Sequence, residues 1–190
     1  MPAPYRVEGF AIISSDGMIA DADGLMPNSL KFEADQVFYE NELDRMDVVV
    51  NGRRSHEWQP NSHLRRRLVV TRKVASLEPN PEQDKSFLWN PAGASLAEAC
   101  AALGLAAGSV GIIGGMEIFG LFLDIGYDVF HLSRAPGVKL PGGMPEFPQM
   151  RTDFSPEDVL VQYGFQPGPQ QVLDAAHDVT LVSWTGAKSA

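Results

Sequence analysis

Val110-Gly111-Ile112-Ile113-Gly114-Gly115-Met116-Glu117-Ile118-Phe119 is the stretch on which the reading of this chain turns. A β-branched apolar run ends at two glycines and passes directly into residues with helical spacing, so a strand should hand over to a helix at Gly114-Gly115. Glycine has no Cβ and lets a ligand or another backbone come close, and the first amides of a helix are unpaired donors that suit an anion. Such a pair is either a tight turn or a phosphate-binding approach, and the flanking segments must separate the two.

On the N-terminal side, Val7 to Ser14 reads as a buried strand broken by Ser15-Asp16-Gly17, with Met18-Ile19-Ala20 after the break. The turn-rich segment Asp21 to Ser29 follows as a loop. Ala34 to Leu43 then predicts a helix with Val37, Phe38 and Leu43 facing inward and Asp35 in its first turn. Asp47 to Gly52 is a second buried strand, and Arg53 to Glu57 opens a short helix after it. Leu68 to Thr71 is a third strand, framed by Arg65, Arg66 and Arg67 before it and Arg72 and Lys73 after it. Val74 to Lys85 is polar and proline-containing; Ser86 to Trp89 is a short strand. Ser95-Leu96-Ala97-Glu98 is a capping box opening a helix to Leu103. Beyond the glycine pair, Tyr127 to Ser133 and Val179 to Trp184 predict strands. The proline- and glycine-rich stretch from Pro136 to Pro169 predicts loops with one short helix at Pro156 to Gln162. Strands alternating with helices imply an α/β layered sheet.

Composition narrows the function classes. The 190 residues are 44% hydrophobic and 21% charged, as expected of one globular domain over residues 1–190. A formal charge of -9 with 15 Lys and Arg argues against a nucleic-acid partner, which needs clustered positive charge, and leaves room for one small anion at a local basic cluster. The single cysteine, Cys100, excludes an intramolecular disulfide and reads as a buried thiol. No apolar run approaches the ~20 residues of a membrane span, and Met1 to Arg6 lack a signal-peptide core, so a cytoplasmic protein with no membrane partner is expected. His56, His63, His131 and His177 have no metal-ligand spacing and read as surface or packing histidines; no metal is expected. A small-molecule substrate and a monomer or homodimer complete the expectation.

The ordered set of segments resembles the dihydrofolate reductase family. The resemblance is carried by Ala11-Ile12-Ile13 with Met18-Ile19-Ala20, Met26-Pro27, Ala34-Asp35 with Phe38-Tyr39, Val49 to Ser55, Arg65 to Thr71, Ile113-Gly114-Gly115 through Phe119, and Phe147-Pro148, over about residues 7 to 150. It implies a three-layer α/β/α fold with a central mixed, mostly parallel sheet and an antiparallel C-terminal edge. It also implies an NADPH-dependent oxidoreductase that reduces dihydrofolate or a related dihydropterin.

Position by position, the resemblance makes Asp35 the acidic residue that orients the pterin and promotes its protonation, with Glu33 the competing carboxylate. Ala11, Ile19, Met26, Phe38, Tyr39, Ile113, Phe119 and Ser133 would line the substrate, and Arg65 would grip the glutamate carboxylate of a folate. For NADPH it implies Ala20, Gly52, Arg53, Arg54, Ser55, Thr71 and Arg72, together with Ile113, Gly114, Gly115, Met116, Glu117 and Ile118, and a cis peptide between the glycines. The chain departs from the family at Asn28, where tryptophan usually follows Met-Pro, and at Phe119, which replaces a common tyrosine. Ser14-Ser15-Asp16-Gly17 also resembles the reductase domain of riboflavin biosynthesis, which shares the fold and reduces a ribosylamino-pyrimidine with NADPH. A catalytically silent nucleotide-binding module of the same fold is the third reading.

Overall fold

The computed structural model describes residues 4–53, 61–150 and 154–186. In chain order the strands are β1 (Tyr5–Ser14), β2 (Met18–Ala20), β3 (Val48–Gly52), β4 (Arg67–Val70), β5 (Leu77–Pro79), β6 (Ser86–Trp89), β7 (Gly108–Ile112), β8 (Val129–Ala135), β9 (Met144–Pro145), β10 (Gln166–Pro167), β11 (Gln171–Asp174) and β12 (Val179–Thr185). The helices are α1 (Glu33–Leu43), α2 (Leu96–Ala102), α3 (Met116–Ile125) and α4 (Pro156–Gln162).

One large sheet runs β10-β12-β8-β1-β7-β3-β4-β6-β5, with β11 also on β12. Its centre is parallel: β1 pairs with both β7 and β8, and β3 pairs with both β7 and β4. Such strands are covered on both faces and so read as continuous apolar runs; Val48, Val49 and Val50 are all buried. The β12 edge is antiparallel, as the resemblance implied, and the opposite edge is antiparallel too, through β5 on β6. The polar composition around Leu77–Pro79 hid that short strand, because an edge strand buries little.

Helix α1 covers one face of the sheet and α2, α3 and α4 the other. Phe10, Leu43 and Val49 pack with Phe38 and Tyr39 beneath α1, while Phe119, Phe122, Ala99 and Leu160 belong to the large core on the far face. The α1 residues that turn inward are Asp35, Phe38, Tyr39 and Leu43, spaced by three to four; Val37 is exposed, not inward as expected, because it lies off that stripe. Cys100 is fully buried in the core, and burial pushes its thiol up to about 11. The helix expected over Arg53 to Glu57 lies outside the described residues beyond Arg53. Among the described residues, no helix is long and apolar enough to cross a membrane.

The capping box is formed as read: Glu98 N donates to Ser95 Oγ at 3.2 Å and Ser95 N to Glu98 Oε2 at 2.7 Å. Replacing Ser95 by Ala should lower unfolding free energy by about 1 kcal/mol in a denaturant titration, since the Glu98 amide at the start of α2 loses its acceptor.

Candidate functional site

Strands β1 and β7 lie side by side, but the chain leaves β1 through α1 and leaves β7 through α3, on opposite faces. Their carboxyl ends therefore face an open crevice, the usual ligand position in α/β sheets. A cavity of about 220 Å³ occupies it. Strand β1 contributes Phe10, Ala11 and Ile12; β2 contributes Ile19, and the segment between β2 and α1 contributes Met26 and Lys31; α1 contributes Asp35, Gln36, Phe38 and Tyr39. Ile113 and Phe119 come from the β7–α3 junction, and His131 and Ser133 from β8.

Nine of the ten side chains expected at a substrate thus meet in one cavity. Arg65 does not. It is buried with its Nη2 donating to Asp44 Oδ1, and it lines a second cavity of about 490 Å³ with Asp44, Asn61, Arg66 and Lys85. The two candidate carboxyls also separate: Glu33 is solvent-exposed at the start of α1, whereas Asp35 is 8% exposed and faces the cavity. Burial raises the Asp35 carboxyl to about 6, opposed by the Ser133 hydroxyl.

Among the described residues, two other carboxyls are buried, and neither competes for this role. Glu8 is held low by His131, whose Nε2 lies 2.9 Å from its Oε2, and by Arg6, which together overcome the cost of burial. Glu146, which directly follows β9, is fully buried and raised well above its ordinary range by desolvation, but it does not line the cavity. Asp35 is the carboxyl that is both desolvated and open to a ligand, the combination expected of a group that handles protons.

His131, Phe10, Ile12, Lys31 and Gln36 also line the cavity and were not read as site residues. The signal for one of them, His131, was available in strand periodicity. His131 precedes Ser133 by two and so shares its face, and cross-strand register sets Phe10 opposite His131 and Ile12 opposite Ser133. The His131 ring stacks on Phe10 with centroids 4.9 Å apart, and its Nδ1 lies 2.9 Å from Ser183 Oγ on β12.

Residues expected at a dinucleotide line the same end of the sheet. Gly52 closes β3 and donates its N–H to Gly114 O at 2.9 Å; Arg53 follows it, and Thr71 and Arg72 follow β4, the parallel neighbour. Arg54 and Ser55 lie outside the described residues. The Gly114–Gly115 peptide is cis. Gly114 has φ +95°, and a Cβ there would stand 2.7 Å from the Phe119 ring, so no other residue fits. Gly115 caps α3 without a side-chain hydrogen bond, leaving backbone donors to the crevice, with Met116, Glu117 and Ile118 in the first turn. Ala20 is buried in β2, which pairs with β9 and also carries Ile19 beside the cavity. At Asn28, where a large ring was expected, a single 3-10 turn begins and buries Leu30 against Ile12, Ala135 and Val179. Among the described residues, no three His, Cys, Asp or Glu side chains group as metal ligands.

No protein-family model and no curated protein matches the chain by sequence. Solved structures do match by fold. A putative riboflavin biosynthesis protein from Shewanella sp. PV-4 is 21% identical with a TM-score of 0.65, over 96% of this chain and 99% of that one. A diaminohydroxyphosphoribosylaminopyrimidine deaminase/5-amino-6-(5-phosphoribosylamino)uracil reductase from Thermotoga maritima is 16% identical with a TM-score of 0.66, over 96% of this chain and 56% of that one. Dihydrofolate reductase from Enterococcus faecalis, complexed with NADP(H), is 16% identical with a TM-score of 0.63, over 97% of both chains. The chain has the dihydrofolate-reductase-like α/β fold.

The raised Asp35 carboxyl has a stability consequence. The unfolded chain releases this proton near pH 3.8 and the folded one near 6, so folding loses stability as pH rises between those values. Asp35→Asn should therefore match wild type in denaturant titrations at pH 4 and exceed it by about 3 kcal/mol at pH 7.5. A variant that is less stable at both pH values would mean the carboxylate is stabilised in the fold.

Proposed function

We propose that this chain is an NADPH-dependent reductase of dihydrofolate or a related dihydropterin, adding a hydride to the carbon and a proton to the nitrogen of a ring C=N bond. The observation that carries the reading is Asp35: the one acidic side chain of the cavity, desolvated, and placed on the wall opposite a strand–Gly-Gly–helix junction.

The residues of the crevice fit a dinucleotide phosphate. Gly52 and Gly114 meet with no side chain between them, the α3 N-terminus has uncapped donors, and the exposed Arg53 and Arg72 bring positive charge to an otherwise acidic protein. NADPH bound there supplies the hydride. Asp35 and Ser133 then act on the substrate: an ionised Asp35 accepts two hydrogen bonds from an amidine-like ring edge, and a protonated one holds a proton within reach of the ring. Ile19, Phe10 and Phe38 exclude water around that edge and strengthen these interactions. Phe119 and Ile113 form the wall between the ring cavity and the glycine junction.

A second reading, a pyrimidine reductase of the riboflavin-biosynthesis type, is supported by the Ser14-Ser15-Asp16-Gly17 segment and by the two riboflavin-related structures that share the fold. Both readings use NADPH. They part on substrate, and a module that binds NADPH without turnover differs from both.

NADPH oxidation followed at 340 nm should require dihydrofolate or a dihydropterin, and Asp35→Asn should cut turnover by about 10²-fold or more with little change in NADPH affinity. The wild-type hydride-transfer rate should fall as pH rises through about 6, and the variant should lose that dependence. Wild-type turnover in the variant sinks the assignment, and turnover of the ribosylamino-pyrimidine alone selects the second reading. Replacing Arg53 and Arg54 by Ala should weaken NADPH about 10-fold or more while leaving NADH nearly unchanged, because only NADPH carries the 2′-phosphate. Equal losses for the two dinucleotides, measured by fluorescence titration, would remove these arginines from that phosphate.

A further inference from the structure

Glu146 is completely buried, and among the described residues neither of its carboxyl oxygens has a hydrogen-bond partner. An ionised carboxylate without a partner is among the most costly groups to enclose, so the neutral acid is the form that packs. The groups that face it do not compensate a negative charge. On β8, the Arg134 guanidinium favours the carboxylate, but its Nε and Nη2 already donate to Glu157 Oε1 and its Nη1 to Ser15 O. On α4, Glu157 opposes a second negative charge, and its own Oε2 is buried without a hydrogen-bond partner. Ahead of β8, the neutral Tyr127 hydroxyl donates to Phe119 O. In the turn after β1, the Asp16 carboxylate accepts from Ser14 Oγ and Leu140 N.

The strand that Glu146 follows is weakly held. β9 pairs with β2 in a separate two-stranded sheet, through Met18 opposite Pro145 and Ala20 opposite Met144, with an irregularity between them. A ribbon this short is not stable by itself, and Pro145 has no N–H to give. Beyond it, the Glu146 N–H donates to Gly17 O at 3.3 Å, and Phe147 anchors the chain in the core against Phe119 and Phe130. Ahead of it, Gly142 has φ +71° and open space where a Cβ would stand, a place for the chain to turn. The other strand of the ribbon carries Ile19, part of the cavity wall.

We propose that Glu146 is a proton-operated latch on the β2–β9 ribbon. Neutral, it stays in the interior and the ribbon holds Ile19 against the cavity. Ionised, it gives one proton to solvent and leaves for water, the ribbon parts between Gly142 and Phe147, and Ile19 withdraws from the wall. The latch is independent of which ring the cavity receives.

In the open ribbon Glu146 titrates near its ordinary 4.5; in the closed one burial first, and Glu157 after it, raise it well above that value. Closure is therefore fully favoured below about 4.5 and is lost as pH rises toward the closed-state value. Asp35, raised to about 6, has finished titrating above that pH, so a window from pH 6.5 to 8.5 isolates Glu146.

Backbone amide hydrogen exchange over that window, corrected for the intrinsic pH dependence of exchange, reads the opening. In the wild-type protein, protection of residues 18–20 and of Met144 and Glu146 should fall by about tenfold or more, since one proton is linked to opening. These amides should also exchange at least about tenfold faster than those of β7, which open only with the whole fold. Glu146→Gln should keep the ribbon's protection constant within about threefold. Glu146→Leu, which leaves no polar atom to bury, takes its place where the Gln side chain prevents folding. Wild-type protection that changes by less than about threefold overturns the latch, as does an equal fall in the variant. Ribbon amides as protected as those of β7 would show that no separate opening exists and would overturn it too. The measurement uses no substrate, so its outcome is distinct from that of the reductase reading.

Discussion

Strand β1 is hydrogen-bonded in parallel on both sides, and the rest of the molecule follows from that arrangement. Parallel neighbours cannot be joined by a tight turn, so each connection must cross a face of the sheet. The connection from β1 crosses with α1 and the one from β7 with α3, on opposite faces, which leaves the carboxyl ends of the two strands uncovered between them. The cavity is the consequence of that divergence. It exists before any side chain is considered, and the side chains then determine its chemistry.

What they supply is an apolar enclosure with one carboxyl in it. Phe10, Ile12, Phe38 and Ile113 withhold water from Asp35, and the carboxyl responds by keeping its proton to a higher pH than an exposed one. The contrast with Glu8 is informative, because both are buried by the same sheet face. Glu8 has His131 and Arg6 to stabilise its charge and stays low; Asp35 has the Ser133 hydroxyl alone and rises. A group without a charged partner carries a folding cost that packing elsewhere must offset, as functional sites commonly do. The fully buried aromatic and aliphatic side chains of the far face, Trp89, Phe122 and Phe130 among them, are where that offset resides.

The basic residues show how burial sorts like charges into unlike roles. Arg65 and Arg67 enter the protein interior, where Arg65 meets Asp44 and Arg67 Nη1 donates to Asn51 Oδ1 at 2.7 Å. Arg53 and Arg72 remain in solvent at the ends of β3 and β4. The arginines around β3 and β4 therefore divide into buried members at one end of the strands and exposed members at the other.

Much of this was legible along the chain because it is local. Period-two and continuous apolar runs marked β1, β3, β4, β7, β8 and β12; Ser95 and Glu98 marked the start of α2; Pro156 marked α4; and the glycine pair marked the β7–α3 junction. Each of these depends on residues within a few positions of one another, where backbone geometry and capping act. The resemblance also put the acid at Asp35, with Glu33 as the competing carboxylate. The joining of His131 and Phe10 into the same wall, the pairing of β2 with β9 and the short edge strand β5 were decided by tertiary structure alone. All three turn on which strands become neighbours and in what register. That is set by burial summed over the whole sheet, so no short window of residues contains it.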